Sequence, residues 1–564
     1  MNFNRIFNSQ TKTITFAALL LGLSSAISGF LGLVRDGLLA GYFGVWKETN
    51  SYFAAFRIND FFYNLFVIGG LVVAFLPLFS DYYSKEKEKA WEMVNYVLNF
   101  LLILLILASF FIFIFSPFLV KLITPGFSTQ ERNLTVNLIR IMILSPIFFG
   151  LSAILAGILQ YFNRFLIYSL APIFYNLGII SGIVFLSPHF GILGVGIGLS
   201  LGAACHWLIQ LPAAINCGFK YRFHFNLKYP AIKRIFYLAL PRLFAISAQQ
   251  INLLFITAIA SMISGGISIF SFANNLQNFP IGIVAIPFAI AAFPVLSRNW
   301  AQGQKRDFLE NFSSAFRQIL FLIIPISLLT FILRAQIVRL ILGTFGEQGK
   351  FDWVATSLTT ASLGVFSIGI LASALIPLIS RAFFSFQDTK TPTLIALFAV
   401  ISNIILSFTL VWVLKFPNFF QSFIREILKI KGIENISVVG LPLAFSFAAI
   451  VQFILLLIFL QKRIGDFKFR EIYFAFLKIF TFSIMSGLLT YLTIHFLDYY
   501  GFVNTHTVFG LSIQTISAGL FGLFAYFGFS FFSKSPELFI IIDSFKKQFR
   551  KEVIPIKEIE IAEP

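Results

Sequence analysis

Apolar runs of twenty residues or more recur from one end of the chain to the other, as at 97–118 and 438–460. At about 1.5 Å rise per residue such a run, wound as a helix, spans the roughly 30 Å hydrocarbon layer of a bilayer. With lipid around it, a backbone satisfies its own hydrogen bonds only in a helix or a closed barrel, and barrel strands are much shorter and alternate in polarity. The feature therefore predicts an all-α polytopic membrane protein. Composition agrees: 58% of the 564 residues are hydrophobic and 12% charged, against about 25% charged in soluble domains.

Hydrophobic blocks and their breaks predict about fourteen spans, near 14–36, 51–80, 93–118, 134–160, 168–187, 191–216, 231–258, 265–297, 310–333, 356–382, 391–415, 437–461, 470–497 and 508–533. No large soluble domain interrupts them. The loops after even-numbered spans, together with both termini, carry roughly 26 Lys and Arg, and the opposite loops about 10. Both termini are therefore expected on the cytoplasmic side of the inner membrane.

Several function classes drop out. The net charge of +18 lies mostly in short loops, as the positive-inside rule requires, so no nucleic-acid partner is implied. Cys205 and Cys217 fall on one expected helix about 18 Å apart, too far to bridge. The five His residues are scattered, so neither a metal nor a cofactor is expected, and no catalytic residue is assigned. GTFGEQGK at 343–350 misses the phosphate-loop spacing by one residue, and Phe351 stands where Ser or Thr belongs. The N-terminal apolar run is too long for a signal peptide's core and reads as a retained first span.

Within this apolar sequence the exceptions carry the information. Arg35 and Asp36 are an ionic pair in an otherwise apolar or small stretch from Ile14 to Trp46. A charged side chain in hydrocarbon costs about 2.5–3.5 kcal/mol on insertion scales, so such groups end a span or face a polar interior. Arg57 and Asp60, at i and i+3, share one face of the second span, with Asn50, Asn59 and Asn64 around them. In the eighth span Asn274, Asn275, Gln277 and Asn278 form a neutral polar strip. A cationic and a neutral strip together suit an anionic, hydroxyl-rich headgroup, because the arginine fork matches phosphate. Gly194, Gly198 and Gly202 form a GxxxGxxxG face, expected to serve close helix packing.

The chain also echoes itself. FAAFRINDFFYNLFVIGGLVVAFLPLFS at 53–80 and FSFANNLQNFPIGIVAIPFAIAAFPVLS at 270–297 have equal length and share Phe, Pro and Ser in register. YFNRF at 161–165 and FFSFQDTKTP at 383–392 are comparable polar turns. Two parallel six-helix lobes are expected, 1–230 and 231–465, followed by two further helices and a basic tail at 466–564. Parallel repeats of this kind are a transporter architecture.

GLVRDGLLAGYFG at 32–44, FAAFRIND with AFLPLFS, TPGF at 124–127, AGILQYFNRFLIYSLAPIFYN at 156–176 and SRAFFSFQDTKTP at 380–392 together resemble the signatures of the MurJ (MviN) lipid II flippase family. That family belongs to a superfamily of multidrug, oligosaccharidyl-lipid and polysaccharide exporters. The resemblance implies two pseudo-symmetric lobes around a cationic cavity and a groove for a polyprenyl tail. Its implied partners are the bilayer and an undecaprenyl-pyrophosphate-linked disaccharide peptide, flipped outward by alternating access, with a coupling ion left open. A monomer is expected, and a transporter rather than an enzyme. The family's first-helix pair falls on Arg35 and Asp36, and its second-helix basic residue on Arg57. Asp60, Asn274, Asn275 and Gln277 complete the candidate binding set. The sequence departs from the family at Gly29, Asn50, Tyr63 and Asn275, where further charges are usual. A flippase for another undecaprenyl-linked glycan and a non-transporting scaffold for wall enzymes are the alternatives.

Overall fold

The computed structural model describes residues 14–65, 72–345, 350–430, 432–465, 467–501, 503–505 and 507–549; at 14–19, 72–74, 236, 238–247 and 544–549 it describes the backbone alone. The phosphate-loop look-alike at 343–350 and the basic tail fall partly outside these limits.

Among the described residues the secondary structure is helical, and twelve segments are long and apolar enough to cross a membrane. Most follow the expected spans closely, for example Trp353–Ser385 and Val508–Phe532, but the first, Leu20–Phe43, runs seven residues past its expected end at 36. Of the other two expected spans, 51–80 includes residues outside the description, and 231–258 includes residues described by backbone alone. By internal contacts the chain divides into two units, one of Met1–Leu39 and Trp46–Met262, the other of Ala40–Val45 and Ile263–Arg550.

The first unit contains most of α1 (Ile14–Phe43), then α2 (Lys47–Tyr63), α3 (Val72–Lys85), α4 (Lys87–Ile123), α5 (Thr129–Met142), α6 (Leu144–Tyr161), α7 (Phe165–Ser181), α8 (Ile192–Leu208) and α9 (Pro230–Ala260). Glycine sets the α7–α8 contact. A Cβ on Gly178 would lie 2.2 Å from the Gly202 Cα, and one on Gly198 2.5 Å from the Gly182 Cα. The backbones touch, as expected from the GxxxGxxxG face, because only hydrogen atoms stand between them. The TPGF turn is seated on the end of α9, with the Gly126 N–H donating to Ser261 Oγ at 3.1 Å. Asn95 and Asn99 of α4 hold the extended segment before α9, donating to the carbonyls of Lys220, Arg222 and His224 at 3.0–3.1 Å.

The second unit contains α10 (Gly266–Pro280), α11 (Ile286–Ala301), α12 (Lys305–Ile332), α13 (Arg334–Leu342), α14 (Trp353–Ser385), α15 (Lys390–Val413), α16 (Phe419–Leu428), α17 (Gly440–Ile464), α18 (Phe469–Tyr499), α19 (Val508–Phe532) and α20 (Pro536–Phe549). Its core gathers Phe308, Phe312, Phe321, Phe383 and Phe467 with Tyr526, whose hydroxyl donates to the Phe321 carbonyl at 2.7 Å. Arg317 faces the buried Glu537 at 3.5 Å and so ties α20 to α12.

The sequence echo has a structural counterpart inside each unit. Helix α2 widens into a π-turn at Asn64, eleven residues after Phe53, and a π-turn at Ile281–Ala285 begins eleven residues after Phe270. The turns after α6 and α14 match as well. Asn163 (φ 56°) and Gln387 (φ 62°) both take the left-handed conformation, and Arg164 and Asp388 then donate back to the carbonyls of Leu159 and Phe383. Aromatic rings surround both turns. Phe79, Trp91 and Phe162 cluster in the first unit, Trp300, Phe308 and Phe386 in the second.

Candidate functional site

The Arg35–Asp36 pair does not end its helix, since α1 continues to Phe43. Arg35 Nε and Nη2 donate to Asp36 Oδ1 at 2.9 and 2.7 Å, with the side chains 20% and 4% exposed. Neighbouring residues on a helix do not normally face each other, yet the long Arg35 side chain reaches the carboxylate of the next residue. Its third contact crosses to α7, where Arg35 Nη1 donates to Asn176 Oδ1 at 3.2 Å. The Asn176 amide nitrogen in turn donates to the Ser28 carbonyl and hydroxyl and to the Pro172 carbonyl. That fixes which end of the amide meets the arginine. Arg35 is thus a half-buried cation held by a buried carboxylate and an oriented carbonyl, as an ion in a low-dielectric setting requires.

Helix α2 presents the second group. Asp60 accepts from the Asn64 amide at 2.9 Å, and Arg57 lies within electrostatic range of Asp60. Among the described residues the Arg57 guanidinium has no hydrogen-bond partner, so its donors remain open to a ligand. Asn59 is buried and donates to the Ala55 carbonyl at 3.1 Å, leaving its Oδ1 without a partner among the described residues. The phenols of Tyr52 and Tyr175 lie within electrostatic range of Arg35, and Tyr175 also within range of Asp60 and Tyr63. Phe149 of α6 packs against both Tyr63 and Tyr175, tilted to one ring and edge-on to the other, with ring centroids 5.0 Å from each. Helices α1, α2, α6 and α7 thereby build one polar cluster in the first unit, with two cations and two carboxylates. Unequal hydrogen bonding separates a held arginine from an open one.

The strip on α10 belongs to the second unit. Gln277 Nε2 donates to Asn274 Oδ1 at 3.1 Å; Gln277 is fully buried, and its Oε1 has no partner among the described residues. Asn275 is half-buried and Asn278 exposed, so the strip divides into an inward-bonded pair and a more open side.

Sequence reasoning passed over Asn176, Tyr52 and Tyr175. A usable signal existed for Asn176, the one amide in its span, four residues after Pro172. A buried Ser152–His206 hydrogen bond of 2.7 Å, to which Gln210 also donates, lies under Phe149 and was equally hidden. No group of side chains able to hold a metal ion occurs among the described residues.

A two-unit bundle of membrane-spanning helices, with ionic groups buried inside its helices, defines a polytopic membrane protein of transporter architecture. The family described as Lipid II flippase MurJ matches residues 39–510. A probable lipid II flippase MurJ of Buchnera aphidicola subsp. Acyrthosiphon pisum is 28% identical over 79% of this chain and 91% of its own. One from Vibrio cholerae is 29% identical over 71% and 78%. A solved structure of lipid II flippase MurJ in an inward closed conformation superimposes with a TM-score of 0.72 at 26% identity, covering 92% of this chain and 99% of that one. An inward-facing multidrug transporter of the MATE family shares the fold alone, with a TM-score of 0.63 at 13% identity. The chain belongs to the MurJ family.

Proposed function

We propose that this protein carries lipid II, an undecaprenyl-pyrophosphate-linked disaccharide peptide, from the inner to the outer leaflet of the cytoplasmic membrane by alternating access. The observation that supports this reading is the pair of unequally engaged arginines inside the first unit. Arg35, tied to Asp36 and Asn176, keeps a permanent positive field. Arg57, with its donors open, takes the pyrophosphate through charge-assisted hydrogen bonds. Asp36 and Asp60 hold net charge near zero, so the headgroup can leave again. Asn274, Asn275 and Gln277 contact sugar or phosphate in turn, and the repeated lobes of this reading are 1–230 and 231–465. A multiply charged headgroup does not cross hydrocarbon unaided, and the membrane potential supplies about 2.3 kcal/mol per charge per 100 mV to drive the cycle. Both termini face the cytoplasm in this reading.

Depletion of the protein in growing cells tests it. Lipid II should accumulate on the inner leaflet, and Arg57→Gln should fail to rescue while Arg57→Lys rescues in part. Unchanged lipid II distribution on depletion would overturn the reading and favour another glycan or a scaffold role.

A further inference from the structure

The second unit contains a cavity of about 840 Å³ that the preceding reading leaves unused. It lies where α12 ends and α14 and α19 begin, and α13, α16 and α18 complete its wall. Three cations line it: Arg334, Arg339 and Lys429. No carboxylate is among the described lining residues, and none of the three cations has an ion-pair partner among the described residues. Asp352 sits between the lining residues Phe351 and Trp353, and its carboxylate is occupied in capping α14 through the Ala355 N–H at 2.7 Å. Arg334 donates one Nη1 bond to the Phe331 carbonyl at 2.6 Å and lies over the Phe331 ring. Arg339 donates from Nη2 to the Thr505 carbonyl at 2.9 Å. Those bonds orient both guanidinium groups and leave further donors unspent.

The wall itself is incompletely satisfied. Arg334 Nε, Gln336 Oε1 and Thr360 Oγ1 are buried without a hydrogen-bond partner among the described residues. Buried polar groups are nearly always paired, so three such atoms around one cavity point to a polar occupant. Helices α13, α14 and α19 all start at this wall, and their N-termini add positive potential. Trp353 and Tyr491 supply apolar flanks, and Thr356 and Ser357 hydroxyls. The volume far exceeds that of a bare anion and suits a headgroup.

We propose that this cavity is a second oxyanion site, taking a phosphate-bearing ligand on Arg334, Arg339 and Lys429 with the attached polar group against Trp353 and Tyr491. It lies wholly in the second unit, whereas the Arg35–Arg57 cluster belongs to the first. The phosphate belongs to a lipid headgroup or to a soluble phosphate, and the test separates these sources.

The full chain, purified in nanodiscs, is assayed by native mass spectrometry for retained phosphatidylglycerol against phosphatidylcholine, and by thermal shift with inorganic pyrophosphate. The triple variant Arg334→Gln/Arg339→Gln/Lys429→Gln should weaken binding of the phosphate-bearing probe roughly tenfold or more, while Gly528→Ala, whose added carbon meets nothing within 4 Å, leaves it unchanged. Selective loss of phosphatidylglycerol supports a lipid headgroup; selective loss of the pyrophosphate shift supports a soluble one. Equal retention by wild type and triple variant overturns the site. Should the triple variant fail to fold, the single change at exposed Lys429 decides, since unaltered binding in Lys429→Gln also overturns it.

Discussion

Arg35 and Asn176 stand 141 residues apart in sequence and meet at 3.2 Å, guanidinium to amide carbonyl. The contact joins α1 to α7 through two side chains that hydrocarbon would otherwise exclude. Asn176→Ala removes this acceptor and the three bonds that the amide nitrogen donates. The variant should lose about 1–3 kcal/mol of stability and most of its transport. Thermal unfolding in detergent and rescue of depleted cells measure the two effects.

The two arginines should respond differently. Arg35→Ala leaves Asp36 buried beside no cation, a change worth about 3–5 kcal/mol in buried pairs. Arg57→Gln removes a group with no hydrogen bond among the described residues. It should keep the unfolding temperature close to wild type and still lose substrate binding. Equal destabilisation by both would refute the division into a held and an open arginine.

Close approach of α7 and α8 predicts sharp intolerance at the glycine seam. Gly198→Ala places a methyl 2.5 Å from the Gly182 Cα, against backbone that cannot move aside. A loss of about 1–3 kcal/mol is expected, the usual effect of overpacking. Gly528→Ala, with nothing within 4 Å of the added carbon, should change little. Unfolding temperatures of the two variants make the comparison.

Asp81, just beyond the second expected span, accepts from Lys85 at 2.9 Å and faces Arg234 of α9 at 3.5 Å. Lys85 first, and Arg234 after it, hold its carboxyl below the usual carboxylate range. A carboxylate whose folded pKa is depressed stabilises the fold above its unfolded pKa, and the contribution fades as pH falls through the folded value. The stability difference between wild type and Asp81→Asn should therefore be small near neutral pH, since the pair is solvent-exposed, and vanish in acid. A difference that grows on acidification would contradict the assignment.

Much of the fold was legible because the bilayer imposes a one-dimensional rule. Run length reports a span, and most of the twelve segments came out close to their expected limits, as Val508–Phe532 did. The glycine face of α8 was legible for the same reason, since spacing along a helix names a side. The echo at 53–80 and 270–297 anticipated matching local geometry too, down to π-turns in the same register.

The partners were not legible. Arg35 could be read as a buried charge, but not as one held by Asn176, because that contact closes over 141 residues and local spacing cannot report it. Arg57 looked equivalent to Arg35 until hydrogen bonding separated them, and the Arg334–Arg339–Lys429 cavity assembles from five or more helices that share no motif. Periodicity and hydropathy act along one helix, so the sequence alone determined which segments span and which side chains are costly there. Only packing between helices decided which costly groups are satisfied and which stay open.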